Sequence, residues 1–184
     1  MARVLVPLAQ GCEELEAVTV IDLLRRAGVE VVSAGLDDGP VVASRGVVLM
    51  PDRELDRVKD EEFDMVVLPG GLPGADHLAA DARIRELLQR MAGQGKYTAA
   101  ICAAPKVLAA AGLLDGRRAT AYPGVLQALS NAAIEIDGGA VVQDGSVITS
   151  RGPGTAMEFA LELIALLAGE EKRDEVARGL VRVG

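Results

Sequence analysis

The sequence predicts an α/β fold in which a mostly parallel sheet is covered on both faces by helices. Two observations carry that expectation. Short Val-, Leu- and Ile-rich runs recur along the chain, and longer segments of helical period separate them. Glycine and proline punctuate the junctions, with no internal repeat and no low-complexity tract to suggest a second domain, so one domain over residues 1–184 is expected.

The elements follow in order. Arg3 to Leu8 reads as a buried strand. Leu15 to Ala27 reads as a helix with Val18, Ile21 and Leu24 on its inner face, closed by Gly28. Glu30 to Ala34 is the next strand. Val41 to Met50 holds two β-branched runs around Ser44, Arg45 and Gly46, the pattern of a small peripheral hairpin. Met65 to Leu68 forms a core strand and runs into the permissive turn Pro69, Gly70, Gly71. A helix ends near Ala92, Thr98 to Ile101 is another strand, and Pro105 to Ala111 turns helical at once. A strand at Ala119 to Ala121 follows, then a strand pair at Ala140 to Gln143 and Ser146 to Thr149. The glycine-rich turn SRGPG leads into a helix over Thr155 to Leu167, and a last helix covers Glu171 to Val181.

Composition narrows the function. Nineteen basic against 27 acidic side chains give a net charge of -8, the wrong sign for attracting phosphate backbones. Aromatics make up 2% of the chain, too few for a base-stacking platform. No specific nucleic-acid partner is expected. Charges interrupt every apolar run well before the roughly 18 residues that span a bilayer, and the N-terminus reads as a strand rather than an export signal. No membrane partner and a cytoplasmic location are therefore expected. Two cysteines, Cys12 and Cys102, neither staple a scaffold nor cluster as zinc ligands, and a single histidine, His77, excludes a multi-histidine metal site.

In open α/β sheets ligands bind beyond the carboxyl ends of the strands. Four loops fall there: Ala9 to Glu14, Pro69 to Gly74, Cys102 to Pro105 and Ser150 to Gly154. In AAICAAP a thiol sits between a buried strand and a helix start, flanked by alanines that allow a sharp turn, as in a nucleophile elbow. The helix start favours thiolate, and the Ala103 N–H with that of Gly70 or Gly71 would receive a developing oxyanion. Nothing ties His77 to Cys102. The other candidate partners are the acids of GCEELEA, where Glu13 and Glu14 also read as first-turn helix acids serving the dipole.

GCEELEAVTVIDLLRRAG, VVLPGG, AAICAAP and TSRGPGT, in that order across nearly the whole chain, resemble the DJ-one/ThiJ/PfpI superfamily. The resemblance implies a flavodoxin-like three-layer sandwich, usually a homodimer. It also implies that Cys102 is the reactive cysteine and Glu16 the carboxylic acid touching its sulfur. Buried beside a thiolate, Glu16 would keep its proton and donate a hydrogen bond, so the two groups would titrate as a pair. Arg26 and Arg45 match arginines placed near the site at the dimer interface. Ser150, Arg151 and Pro153 match the loop lining the pocket. Two departures matter. Ala103 follows Cys102 where peptidase-like members have their histidine base, which argues against a peptidase, and Tyr122 precedes Pro123 where a histidine stands in other members. A tyrosine titrates near 10, so it is a poor proton shuttle at neutrality.

The activity so implied is a glutathione-independent glyoxalase or protein deglycase, acting without metal or organic cofactor. Its substrates would be methylglyoxal, glyoxal or their early adducts on protein side chains, with lactate or glycolate as products. The alternative is an oxidative-stress sensor or redox-regulated holdase chaperone using the same cysteine without turnover.

Overall fold

The computed structural model describes residues 1–181. In chain order the elements are β1 (Arg3–Leu8), α1 (Glu14–Arg26), β2 (Glu30–Gly35), β3 (Val41–Val42), β4 (Val48–Leu49), β5 (Arg53–Glu54) and α2 (Leu55–Val58). Then come β6 (Met65–Leu68), α3 (Gly74–Ala80), α4 (Ala82–Gly93), β7 (Tyr97–Ile101), α5 (Pro105–Ala110), β8 (Arg118–Ala119) and β9 (Glu135–Ile136). The chain continues with β10 (Val141–Asp144), β11 (Val147–Ser150), α6 (Ala156–Ala168) and α7 (Glu170–Gly179).

Seven strands form the central sheet in the order β10-β11-β7-β6-β1-β2-β5. All neighbours pair in parallel except β10 and β11, which form an antiparallel hairpin at one edge. The sheet grows outward from β1 in two directions, first to β2 and then, after the β3–β4 hairpin, back across β1 to β6, β7 and β11. That reversal puts the crevice at the carboxyl ends of β1 and β6, with β7 beside them.

Every residue of β6 is buried, because helices cover both faces. One face packs α1, α6 and α7 around Leu24, Phe159 and Ile164; the other packs α2 to α5 around Leu55, Leu78 and Leu88. Each fully buried side chain of this size stabilises the fold by about 1.5 to 3 kcal/mol. Helix α6 is apolar nearly all round, since α1 covers one flank and α7 the other. Helix α4 starts where Asp81 accepts from the Arg83 N–H and buries Ile84, Leu87, Leu88 and Met91 at helical spacing.

Three expectations change. The inner stripe of α1 is Ala17, Val20, Leu23 and Leu24, while Val18 is 47% exposed and Ile21 only half-buried. This helix has apolar residues on two faces, so periodicity alone could select the wrong one. The short β5 and α2 were not foreseen, because two-residue pairing leaves no alternation to read. The β3–β4 hairpin forms as expected, yet it is not peripheral: Gly11 N–H donates to Val42 O and Ser44 N–H to Cys12 O, both at 2.8 Å. The hairpin turn is thereby laid over the crevice.

Candidate active site

Cys102 follows the last residue of β7 with φ of +66°, a left-handed conformation that L residues adopt at a cost of about 1 to 2 kcal/mol. Two backbone bonds hold it there. Its N–H donates to Ser150 O at 3.0 Å, and its carbonyl accepts the Tyr122 N–H at 2.8 Å. The turn also needs Gly70. A Cβ there would lie 2.7 Å from Cys102 Cβ and 2.8 Å from Ile101 O, so any side chain would push the elbow away.

Glu16 reaches the same point from the first turn of α1 and is wholly buried. Its Oε2 accepts the Gly70 N–H at 2.8 Å, while Oε1 has no geometrically complete hydrogen bond among the protein's groups. Backbone contact fixes the distance between these loops: Glu13 N–H donates to Gly70 O at 2.8 Å. A Cβ on Gly71 would fall 2.4 Å from the Glu13 nitrogen, and one on Gly74 would fall 2.6 Å from Cys12 Cα. GCEELEA and PGGLPG are thus interlocked main chain to main chain.

Burial pushes the Glu16 carboxyl up to about 7, against the opposing hydrogen bond of the Gly70 N–H and the nearby Cys102 thiol. Burial and then the charge of an ionised Glu16 push the Cys102 thiol up to about 12, although the N–H groups of Gly71 and Ala103 favour its anion. These directions describe one pair. Two negative charges repel one another here, so ionising either group opposes ionising the other. With the proton on Glu16, the repulsion disappears and the Gly71 and Ala103 N–H groups remain to stabilise the thiolate.

A cleft of about 330 Å³ opens over the sulfur, lined in part by Glu13, Arg45, Gly71, Tyr122 and Pro153. That is the scale of a small-molecule site. The structure therefore brings together Cys102, Glu16, Gly71, Ala103, Tyr122, Pro153 and Arg45. It sets four expected residues elsewhere. Gly70 donates its N–H to Glu16, so it is not free for an oxyanion. Ser150 is buried behind the elbow rather than lining the pocket: its Oγ donates to Ala140 O at 2.7 Å and lies 2.7 Å from Thr155 Oγ1, fixing the loop. Arg151 points to a neighbouring recess, with Nη1 donating to Gly138 O at 3.0 Å. Arg26 pairs with Asp22 at 2.8 Å at the far end of α1, about 15 Å along the axis from Glu16, so it does not approach the cleft of its own chain.

Leu72, Val125, Ser44 and Glu13 also line the cleft. The first two have no chemical signature in a sequence. Ser44 Oγ lies 2.9 Å from Glu13 Oε2 and 3.0 Å from Glu14 Oε2, tying the hairpin to α1; the polar pair Ser44–Arg45 between β-branched runs was the available signal. His77 lies in a separate hollow with its Nδ1 2.9 Å from Gln10 O.

A strained cysteine at a strand-to-helix elbow of a flavodoxin-like sheet, proton-coupled to a buried acid, defines a cysteine-centred α/β protein of the nucleophile-elbow kind. The DJ-1/PfpI family profile matches residues 2–166, and the chain belongs to that family. Protein dj-1beta of Drosophila melanogaster is 48% identical over 178 residues, covering 96% of this chain and 95% of that protein. The crystal structure of Drosophila melanogaster DJ-1beta matches with a TM-score of 0.95 at 46% identity, covering 100% of this chain and 99% of the other. Glutathione-independent glyoxalase DJR-1.2 of Caenorhabditis elegans is 38% identical over 180 residues, covering 97% of this chain and 95% of that protein.

Proposed function

We propose that the chain is a cysteine-dependent, glutathione-independent glyoxalase that also acts on early 2-oxoaldehyde adducts of protein side chains. The observation that supports it most is the coupling of Cys102 to Glu16 at the floor of an open cleft. The Cys102 thiolate, favoured by the Gly71 and Ala103 N–H groups, adds to the aldehyde carbon of methylglyoxal, and the new alkoxide takes the proton of Glu16, which leaves Glu16 as a carboxylate. Glu16 then relays the carbon-bound hydrogen as a proton from the former aldehyde carbon to the ketone carbon. One carbon is oxidised and its neighbour reduced, so no external oxidant is needed. Water hydrolyses the resulting thioester to lactate and free thiol. A cleft lined in part by the exposed Leu72 and Tyr122 suits an adduct presented on a peptide as well as the free aldehyde.

The test is lactate formation from methylglyoxal without glutathione. Cys102→Ser should abolish it. Cys12→Ser should retain most activity, because Cys12 is fully buried and is absent from the lining of the cleft over Cys102. Stoichiometric oxidation of Cys102 with no lactate would overturn the enzyme reading and favour the sensor.

A further inference from the structure

Tyr122 borders two hollows. One is the Cys102 cleft; the other is a recess of about 120 Å³ lined by Tyr122, Gln127, Ile136, Asp137 and Arg151, among others. The loop from Ser150 to Pro153 wraps the tyrosine ring. Pro153 lies on the cleft side, Arg151 on the recess side, and Gly152 packs against the ring, where an added Cβ would lie 3.4 Å from Tyr122 Cδ2.

The recess has a definite electrostatic character. Its one acid, Asp137, is already engaged: Oδ1 accepts the Gly139 N–H at 2.8 Å and Oδ2 pairs with Arg118 at 3.4 Å. Arg151 has no ion pair among the described residues and spends one N–H on a carbonyl, that of Gly138. Its other N–H donors remain for a ligand. Gln127 uses its side-chain oxygen to accept the Gly124 N–H at 3.0 Å, which leaves its amide N–H₂ as a further donor. Ile136, 44% exposed, supplies an apolar wall between these polar groups.

We propose that this recess is an anion subsite of the Cys102 centre, in which Arg151 receives the carboxylate at the far end of an elongated 2-oxoaldehyde that spans Tyr122. The inference rests on the reading of Cys102 as the nucleophile that adds to the aldehyde. Arg151 is the specificity-determining residue, acting on the substrate's tail and not on its reacting carbon.

The experiment compares phenylglyoxal with 4-carboxyphenylglyoxal, which share a reaction and differ by one distal carboxylate. For Arg151→Met the ratio of kcat/KM, carboxylated over neutral, should fall about 10-fold, the scale of one charge-assisted hydrogen-bonded pair at a partly exposed site, and Arg151→Lys should restore part of it. An unchanged ratio would overturn the subsite. A second measurement needs no turnover: alkylation of Cys102 by 4-(iodoacetamido)benzoate against iodoacetanilide, where a carbon–sulfur bond forms and iodide leaves. Its rate ratio should fall in Arg151→Met and lessen with added salt. If neither glyoxal is turned over, the glyoxalase reading fails while the alkylation ratio still decides the subsite. A ratio that ignores both substitution and salt would sink the subsite even in an active enzyme.

Discussion

Glu16 and Cys102 are best understood as one titrating unit with two macroscopic steps. Glu16→Gln keeps a donor toward sulfur and removes the exchangeable proton. Cys102 alkylation near neutral pH should persist, while turnover falls by about 100- to 10,000-fold, the range for one general acid–base group. Glu16→Leu removes the donor too. Its alkylation profile should also shift toward higher pH. The same pair predicts a stability effect. The folded pKa of Glu16 stands at about 7 against an ordinary 4.5, so the native state holds its proton more tightly than the unfolded chain does. The contribution is therefore complete below about pH 4.5 and lost as pH rises through about 7. Thermal unfolding across that window should show wild type losing stability relative to Glu16→Gln; parallel curves would mean that the carboxyl is not protonated in the fold.

At the scale of elements, the turns after β1, β6 and β7 approach one another backbone to backbone, with side-chain bonds such as that of Glu16 to the Gly70 N–H added to that frame. The approach that bears directly on the cysteine is that of the turn after β6 against the elbow after β7. Gly70→Ala must place a Cβ 2.7 Å from Cys102 Cβ. The expected result is a lower melting temperature, from about 1 to 3 kcal/mol of overpacking, and slowed alkylation and turnover as the elbow shifts. Gly28→Ala is the matched control. It has φ of +77° but no atom within 4 Å of the added Cβ, so it should cost about 1 kcal/mol of left-handed strain and leave turnover intact. Equal effects of the two variants on turnover would show that close approach at the elbow is irrelevant to chemistry.

For the whole molecule, the exposed apolar residues of α1 and of the hairpin meet on one surface. Leu15 and Val18 are about half exposed, and Val47, Val48 and Met50 range from 49% to 73% exposed. The hairpin turn is bound to α1, where the Arg45 N–H donates to Glu14 Oε1 at 2.8 Å. We propose that a second copy covers this surface in a two-fold dimer, the commonest closed assembly. Sedimentation at micromolar concentration should give about twice the 19.1 kDa chain mass. Val18→Lys with Val48→Glu should return it to one chain mass. A wild-type monomer would refute the dimer.

The layered α/β architecture, the strand-to-helix position of Cys102 and the first-turn position of Glu16 were all legible in the chain. Each follows from local rules: buried parallel strands are continuous apolar runs, and a helix start after a strand end leaves one residue on the turn. The motif resemblance linked GCEELEA to AAICAAP across 86 residues, something periodicity cannot do. Only the folded chain decided which face of α1 is inside, because two apolar faces compete and α6 chooses between them. Only the folded chain showed that the Gly70 N–H serves Glu16, that Ser150 stands behind the elbow, and that Arg151 lines the recess on the other side of the loop from the cleft. Sequence spacing orders residues along one element. Which side chain faces a cleft depends on where separate loops meet, and here that is set by the contact of Gly70, Gly71 and Gly74 with the backbone of other turns.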